Sequence, residues 1–286
     1  MYLLRSIKRG MTMKGKSIGF VNEKGGVGKS TAAFNIAWQL SEKDKVLLID
    51  LDGQQANLTY FCGVEKTDDL KTIKDVLDEK CTIDEAIIHL RNNLDIIPAD
   101  ISVSEIGQRE HITQYVQSHG AAWVRKEFTK TMFLRMIDIF EKVKTKYKYV
   151  LCDVSPAPNF THLLCLCGVD YVTVVMLPDA ASLEGNRGTE DSIKTVIESG
   201  VNPDLQVAGI LFNRDTDRTK LSRAVKTAVD SFAERLHTTP FGSGIRNAVA
   251  LSECVAYHVG VTEYAPRQAV AEDILEVTEE LKERIR

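Results

Sequence analysis

Short apolar runs separated by longer amphipathic stretches form the main pattern of this chain. The runs are continuous rather than alternating, which is typical of strands that are covered on both faces of a sheet. The predicted strands are Ser17–Val21, Val46–Ile49, Leu94–Ile97, Tyr149–Cys152, Tyr171–Leu177 and Val207–Phe212. Because strands alternate with helical stretches, we expect right-handed crossovers and a mostly parallel, twisted sheet with helices on both faces. The pattern therefore predicts an α/β fold.

The helical stretches are best defined near the two ends of the fold. Ser30–Leu40 follows the first strand, and Val270–Ile285 closes the chain with a regular apolar face. The face of this last stretch predicts a helix docked on the core. Ser102–Lys148 is mostly helical in pattern, with a polar part that is hard to place. No composition break divides residues 16–286, so we expect one domain.

The first 15 residues are basic and carry no acid. They lack the continuous apolar stretch of a signal peptide, and we expect a disordered leader. A misassigned start and a basic contact to DNA or to a membrane are the alternatives. No apolar run elsewhere approaches the roughly 18 residues that a membrane span needs.

Composition narrows the partners that the chain can have. Of 286 residues, 44% are hydrophobic and 27% charged, with a formal net charge of −4. This balance is ordinary for a globular protein and argues against a surface coated in positive charge. A nucleic-acid contact would need a local basic patch. The six cysteines are scattered, which favours reduced thiols in a cytosolic protein, and Cys165 and Cys167 are interpreted as core residues.

The strongest motif lies between the first predicted strand and its helix and reads EKGGVGKST from Glu23 to Thr31. Glycines let the backbone turn its N–H groups inward around phosphates, and a helix N-terminus adds a dipole that favours anions. Lys29, which we expect to be exposed in the loop, can reach the β- and γ-phosphates, and Ser30 can offer its hydroxyl to Mg²⁺. The predicted nucleotide contacts in this motif are Lys24, Gly25, Gly26, Val27, Gly28, Lys29, Ser30 and Thr31.

The strict phosphate-loop motif begins with glycine, whereas Glu23 stands at that position here and Lys24 follows it. This KGG-x-GK-[ST] form resembles the deviant Walker A family, which contains ParA partition ATPases, MinD division-site ATPases and the nitrogenase iron protein. The early lysine of that family crosses the dimer interface to the partner's nucleotide, so the resemblance implies this catalytic role for Lys24. It also implies a P-loop NTPase fold, ATP and Mg²⁺ as cofactors and a homodimer in the ATP state.

Two alternating carboxylates end the second predicted strand, in the segment VLLIDLD. Both should lie at the carboxyl edge of the sheet, where ligands of open α/β folds bind. The resemblance implies that Asp52 positions or activates the attacking water and that Asp50 lies near the metal. A strand-end carboxylate that caps the next turn is the alternative for each. Gly53 replaces the proline that is usual in the family, which predicts a more flexible loop.

The segment YVLCD, from Tyr149 to Asp153, is an apolar strand that ends in an aspartate. This is a Walker B pattern when a phosphate loop precedes it, and its carboxylate would hold Mg²⁺ through a water. The predicted metal site therefore consists of Ser30, Asp50 and Asp153.

Downstream segments narrow the resemblance to the ParA type. LPDAASLEG at 177–185 and IRNAVALSE from Ile245 to Glu253 both resemble ParA segments. The segment GILFNR contains Asn213, whose amide can both donate to and accept from adenine edges, while a turn-forming asparagine is the alternative. The resemblance runs from about Lys16 to the C-terminus and is weakest across Ser102–Lys148.

ParA-like proteins bind DNA non-specifically as ATP dimers, and one stretch of this chain has the charge for it. If Thr219–Leu236 is helical, Lys220, Arg223 and Lys226 fall within one third of the helix circumference. Their pull on phosphate would be independent of sequence and sensitive to salt. The predicted DNA-binding residues are Arg218, Lys220, Arg223, Lys226 and Arg246. An ordinary solvated helix face is the alternative.

MinD-like proteins bind membranes through a basic amphipathic C-terminal helix, but the tail from Ala269 to Arg286 has an excess of acids. Anionic lipid would repel such a face. The sequence therefore predicts a cytoplasmic, nucleoid-associated ATPase that segregates or positions DNA or cargo, is slow on its own and is stimulated by a ParB-like or cargo adaptor protein. The alternatives are an ATP-gated scaffold for a protein complex and a MinD-like ATPase held to the membrane by its basic leader.

Overall fold

The computed structural model describes residues 14–108, 124–156, 159–179, 186–215 and 229–286. Its strands are β1 (Lys16–Val21), β2 (Val46–Leu51), β3 (Ile88–Arg91), β4 (Leu94–Ile97), β5 (Tyr149–Val154), β6 (Tyr171–Met176), β7 (Gln206–Asp215) and β8 (Ile245–Arg246). They form one sheet in the order β3-β4-β2-β5-β1-β6-β7-β8. Every neighbouring pair is parallel except β3 and β4. The predicted α/β fold with a mostly parallel sheet is confirmed.

Helices cover both faces of this sheet. They are α1 (Lys29–Leu40), α2 (Asn57–Phe61), α3 (Ile73–Leu77), α4 (Ile83–Ala86), α5 (Val124–Val143), α6 (Phe160–Gly168), α7 (Arg187–Glu198), α8 (Val249–Ala256), α9 (Val261–Tyr264) and α10 (Ala269–Arg284). Helices α5, α6 and α7 pack on the face formed by Val150, Cys152 and Val172. Helices α1 and α10 pack on the opposite face, which includes Leu48 and Leu151. Alternate residues of the central strands thus contribute to two separate apolar layers, one on each face of the sheet.

The C-terminal helix docks as the sequence predicts. Val270, Ile274, Val277 and Leu281 of α10 are at most 1% exposed and belong to the same apolar layer as α1. The apolar face of α10 is therefore used inside the fold. Among the described residues, no helix combines the length and the apolar character that crossing a membrane requires.

All six cysteines are free thiols. Cys165 and Cys167 on α6 are fully buried, and burial raises the pKa of the Cys167 thiol to about 12. Gly19 of β1 lets α6 approach closely, because a Cβ there would lie 2.7 Å from Cys165 Sγ. Both cysteines are packing residues of the core, as predicted.

Several predicted features lie outside the described residues. They are the leader up to residue 13, part of the polar stretch within Ser102–Lys148, and the basic residues Arg218, Lys220, Arg223 and Lys226. Residues 229–235, at the end of the predicted basic helix, are helical.

Candidate functional site

The phosphate loop leaves the carboxyl end of β1, which lies between β5 and β6 at the centre of the sheet. Gly26 and Gly28 adopt left-handed backbone conformations with φ of 73° and 93°, and Gly28 caps the start of α1. A Cβ at Gly28 would lie 1.8 Å from Asn213 Nδ2. Both the backbone angle and the close approach therefore require glycine at this position.

Lys29 is only 5% exposed, so the expectation of an exposed loop lysine is wrong. Its position on the first turn of α1 places it beside the carboxyl ends of β2 and β5, and burial lowers the pKa of its ammonium. Asp153 and Asp52 act in the opposite direction and favour the charged form. The site thus holds a partly desolvated cation, and electrostatic attraction to phosphate is stronger there than in water.

Asp153 ends β5 with its carboxylate fully buried, and within the described residues neither oxygen has a hydrogen-bond partner. Burial, followed by the adjacent Asp50, raises the pKa of this carboxyl well above its usual range, while the neighbouring Ser30 and Lys29 lower it. A buried carboxylate is costly unless a cation or a proton joins it. Mg²⁺ prefers oxygen ligands, and the Asp153 carboxylate beside the Ser30 hydroxyl offers a suitable set.

Asp50 lies opposite Asp153 in the β2–β5 register and is fully buried. Its Oδ2 accepts hydrogen bonds from Thr59 N at 2.9 Å and Thr59 Oγ1 at 2.7 Å, and its Oδ1 accepts one from Asp52 N at 2.9 Å. Burial raises the pKa of Asp50 to about 6 in spite of these bonds. The carboxylate therefore ties β2 to α2 in this structure, and its place near the metal stays a prediction.

Thr59, which no sequence motif marks, links Asp50 to the backbone that follows β4, since its Oγ1 also accepts a bond from Ala99 N at 2.9 Å. Replacing Thr59 by valine should keep the volume and leave two buried groups without this partner. We expect a loss of about 1–3 kcal/mol of unfolding free energy, chiefly from Ala99 N, because Asp50 Oδ2 keeps its hydrogen bond from the backbone N–H of residue 59. Urea unfolding measures it, with the exposed Thr67→Val as the matched control. Equal stability of the two variants would contradict the linking role.

Asp52 caps the turn that follows β2, which is the alternative that the sequence presented, and its role toward the attacking water stays a prediction. Its Oδ1 accepts bonds from Gln54 N at 3.1 Å and Gln55 N at 3.3 Å, so it caps the next turn. Its Oδ2 accepts no hydrogen bond from the described part of the chain, and the residue is 2% exposed. The capped turn therefore holds one carboxylate oxygen ready for another partner.

Gly53 does not loosen this turn, contrary to the sequence expectation. It is buried, and a Cβ on it would lie 2.1 Å from Ser104 N in the 3₁₀ helix Ile101–Glu105. Glycine is needed here for close contact between two backbone segments.

The first residues of the loop are fastened to β6 and to the turn before α7. Asn22 Nδ2 donates to Val175 O at 2.7 Å and to Asn186 Oδ1 at 2.8 Å, and Asn22 Oδ1 accepts from Lys24 N at 2.8 Å. Asn22 and Asn186 are nearly fully buried. The buried amide of Asn22 therefore fixes the backbone at Lys24.

Glu23 explains the missing first glycine of the strict motif. Its backbone N–H donates to Thr189 Oγ1 at 3.1 Å, and its Oε1 accepts from Ser192 Oγ at 3.0 Å. A Cβ on Gly188 would lie 1.8 Å from Glu23 Oε2, so α7 has no side chain where Glu23 packs. The glutamate anchors the loop to α7, which no sequence pattern indicated.

Asn213 lies beneath the phosphate loop. Its Nδ2 donates to Val27 O at 2.8 Å, while its buried Oδ1 has no hydrogen-bond partner among the described residues. The amide nitrogen thus supports the loop backbone, and the contact with adenine stays a prediction.

His162, on the first turn of α6, is a site feature that the sequence analysis did not identify. It is fully buried, and neither ring nitrogen has a partner in the described ranges. Burial and the nearby Lys29 lower its pKa to about 4. The imidazole is therefore neutral at physiological pH.

Arg246 lies on β8, away from the phosphate loop in the order of strands. Its Nε and a terminal nitrogen donate to the two carboxylate oxygens of Asp273 at 2.7 and 2.6 Å. The side chain is 51% exposed. Its charge is thus largely neutralised by α10 in this conformation.

The chain is similar to known proteins in both sequence and fold. The family model described as AAA domain matches residues 15–207. The sporulation initiation inhibitor protein Soj of Bacillus subtilis is 28% identical over 270 residues, which cover 93% of this chain and 98% of Soj. The virulence plasmid ParA family protein pGP5-D of Chlamydia psittaci is 27% identical over 274 residues, with coverage of 94% and 95%. The structure of apo McdA from Cyanothece superposes with a TM-score of 0.77 at 20% identity, over 95% of this chain and 99% of McdA.

Proposed function

The chain belongs to the ParA/MinD family of P-loop NTPases, and from this premise we propose that it is an ATP-dependent dimerisation switch. As a member of the family it is an ATPase that uses ATP and Mg²⁺. The proposal adds that two ATP-bound subunits form a sandwich dimer, that the dimer binds DNA non-specifically, and that hydrolysis resets it. A ParB-like or cargo adaptor protein would accelerate the hydrolysis.

The main support for the proposal is that the two lysines of the phosphate loop differ in burial. Lys29 is buried against the carboxylates of its own subunit, whereas the side chain of Lys24 lies at the rim and is 29% exposed. The path of the loop backbone accounts for both positions, because it directs the side chain of Lys29 toward the site and leaves Lys24 beside the end of β6. The position of Lys24 at the rim supports the proposal that it meets the γ-phosphate bound in a second subunit.

The proposed roles follow from the surroundings of each side chain. Lys29 binds the phosphates, and Ser30 with Asp153 holds Mg²⁺, which when bound would neutralise charge on the β- and γ-phosphates. Asp52, with its second oxygen open, positions the attacking water. Asn22 and Glu23 keep the loop in shape by their bonds to β6 and α7.

Sedimentation of the protein in ATP–Mg²⁺, in ADP–Mg²⁺ and without nucleotide tests the switch. We expect a dimer in ATP only, and a monomer when Lys24 is replaced by alanine. A monomer in all three conditions would rule the switch out.

Asp52→Asn should slow hydrolysis by about tenfold to a hundredfold, because the amide keeps the turn cap but lacks the charge that orients water. Its affinity for ATP should stay within about threefold of the wild type, since the phosphate contacts remain. Phosphate release and calorimetric titration are the measurements, with Asp69→Asn on the exposed surface as the matched control. A wild-type hydrolysis rate in Asp52→Asn would leave Asp52 as a turn cap only.

A second candidate, an ATP-gated scaffold that positions a protein complex without binding DNA, is favoured by the pairing of Arg246 with Asp273. This pair removes one basic group from the proposed DNA-binding face. The buried apolar face of α10 argues against membrane binding through this helix. The alternative in which the basic leader binds the membrane falls on residues outside the described ranges.

A further inference from the structure

Lys24 has a partner within its own subunit. Its Nζ donates to Asp179 Oδ1 at 3.2 Å and to Asp179 Oδ2 at 3.4 Å. The side chain of Lys24 is 29% exposed and that of Asp179 is 42% exposed, so solvent reaches both. The ion pair therefore lies at the rim of the site, where a second subunit would approach in the proposed dimer.

The geometry of this pair is set by the sheet. Lys24 follows β1 by three residues and Asp179 follows β6 by three, and β1 pairs directly with β6 through Val21 and Val174. Asn22 fixes the Lys24 backbone by its bonds to Lys24 N and Val175 O. The two charges are thus carried by adjacent strand ends that are already hydrogen-bonded to each other.

A lysine held in this way must leave its own carboxylate before it can extend toward another subunit. A single carboxylate carries one negative charge, whereas the terminal phosphate of a bound triphosphate carries more and offers three oxygens. We propose that Asp179 is a positioning residue for Lys24, which keeps the lysine within its own subunit until a triphosphate in a second subunit displaces it. This inference rests on the proposed function, because it assumes that Lys24 acts across the dimer.

The size of the effect follows from the exposure of the pair. Ion pairs open to solvent change an equilibrium by at most about fivefold. A symmetric dimer releases two such pairs, so the dimer dissociation constant should change by at most about 25-fold. The contact therefore adjusts dimerisation without blocking it.

Asp179→Asn is the direct test, because it keeps the shape of the side chain and removes its charge. In the presence of a non-hydrolysable ATP analogue and Mg²⁺, its dimer dissociation constant should fall, by at most about 25-fold, as measured by analytical ultracentrifugation. The affinity of the monomer for ADP should stay unchanged. Because salt screens an exposed pair, the difference from the wild type should shrink between low and high salt, which a merely structural role would not produce.

Two further variants keep the result interpretable. Asp179→Glu retains the charge and should restore the wild-type dimer constant. Asp84→Asn removes the partner of Lys146 in a more exposed ion pair near the opposite ends of the strands and should change nothing. Thermal melting of each variant shows whether it is folded.

Lys24→Ala separates failure of this inference from failure of the proposed function. If the wild type dimerises with the analogue and Lys24→Ala does not, the trans role stands, and unchanged or weaker dimerisation of Asp179→Asn overturns the role of Asp179 alone. If Lys24→Ala dimerises as well as the wild type, the proposed function and this inference are both wrong.

Discussion

Replacing Lys29 by alanine should lower the affinity for ATP–Mg²⁺ by roughly 10- to 150-fold, since charge-assisted hydrogen bonds to phosphate contribute about 1.5–3 kcal/mol. Lys29 is nearly buried and lies near Asp153 and Asp52, so its charge acts where water screens it little. The loop glycines and the start of α1 would still face the phosphates, which is why weak binding should persist. Isothermal titration with ATP and Mg²⁺ measures the change.

The burial of Lys29 makes a stability control necessary. Without the ammonium, Asp153 loses one of the neighbours that lower its pKa, which burial and Asp50 already raise. The carboxyl can then be protonated more easily, and the protein should stay folded. Urea unfolding of Lys29→Ala tests this, and the exposed Lys43→Ala serves as the matched control for nucleotide affinity. A folded Lys29→Ala that binds ATP like the wild type would remove the basis for the phosphate-loop assignment.

The sequence predicted the buried centre of the sheet better than its edges. The six predicted strands are mostly apolar because they are largely covered on two faces, and such runs leave a clear signal. Strand β3 is short, half-exposed and at the sheet edge, and it turns back through Asn93 with a φ of 65°. Strand β8 has only two residues. Elements this short lack the repeat that a periodicity argument needs.

The candidate site was predictable where it is contiguous in sequence. The phosphate loop and the strand-end carboxylates are local motifs, and their meeting at one sheet edge follows from parallel topology. The bonds that shape the loop join residues far apart in the chain, such as Asn22 with Asn186 and Lys24 with Asp179. No spacing rule connects such pairs, so the anchoring of Glu23 and the partner of Lys24 required the structure.

The burial of individual site residues could not be predicted from the sequence either. Lys29 and Asp50 were placed at the correct sheet edge, but the burial of Lys29 and the bonds from Thr59 to Asp50 depend on how α1 and α2 pack. These contacts decide whether a carboxylate is open to a ligand or already used by the fold. Asp153 is buried without a hydrogen-bond partner in the described residues, and Asp50 accepts three bonds, although both end neighbouring strands.

The affinity of the protein for DNA should depend on the bound nucleotide, with Lys24 carrying that dependence. The predicted basic face of a monomer with a net charge of −4 is small, and few phosphate contacts bind weakly at physiological salt. Two such faces held on one dimer act as a bivalent ligand, which raises apparent affinity by roughly 10²–10⁴-fold. ADP lacks the γ-phosphate that would meet Lys24 of the other subunit, so the gain should appear with ATP only.

Lys24→Ala should therefore bind ATP appreciably but fail to dimerise, because the cation that would contact the γ-phosphate bound in the second subunit is absent. Without the dimer, the ATP-dependent gain in DNA affinity should be lost. Fluorescence anisotropy with an unrelated duplex, in a non-hydrolysable ATP analogue, in ADP and without nucleotide, measures the gain at two salt concentrations. Lys43→Ala, which removes an exposed lysine elsewhere, should behave like the wild type. Equal DNA affinity of the wild type in all three states would contradict an ATP-gated DNA switch. A wild type that dimerises with the analogue and does not bind DNA would instead favour the ATP-gated scaffold for a protein complex. In that case the only role of Arg246 would be its ion pair with Asp273 of α10.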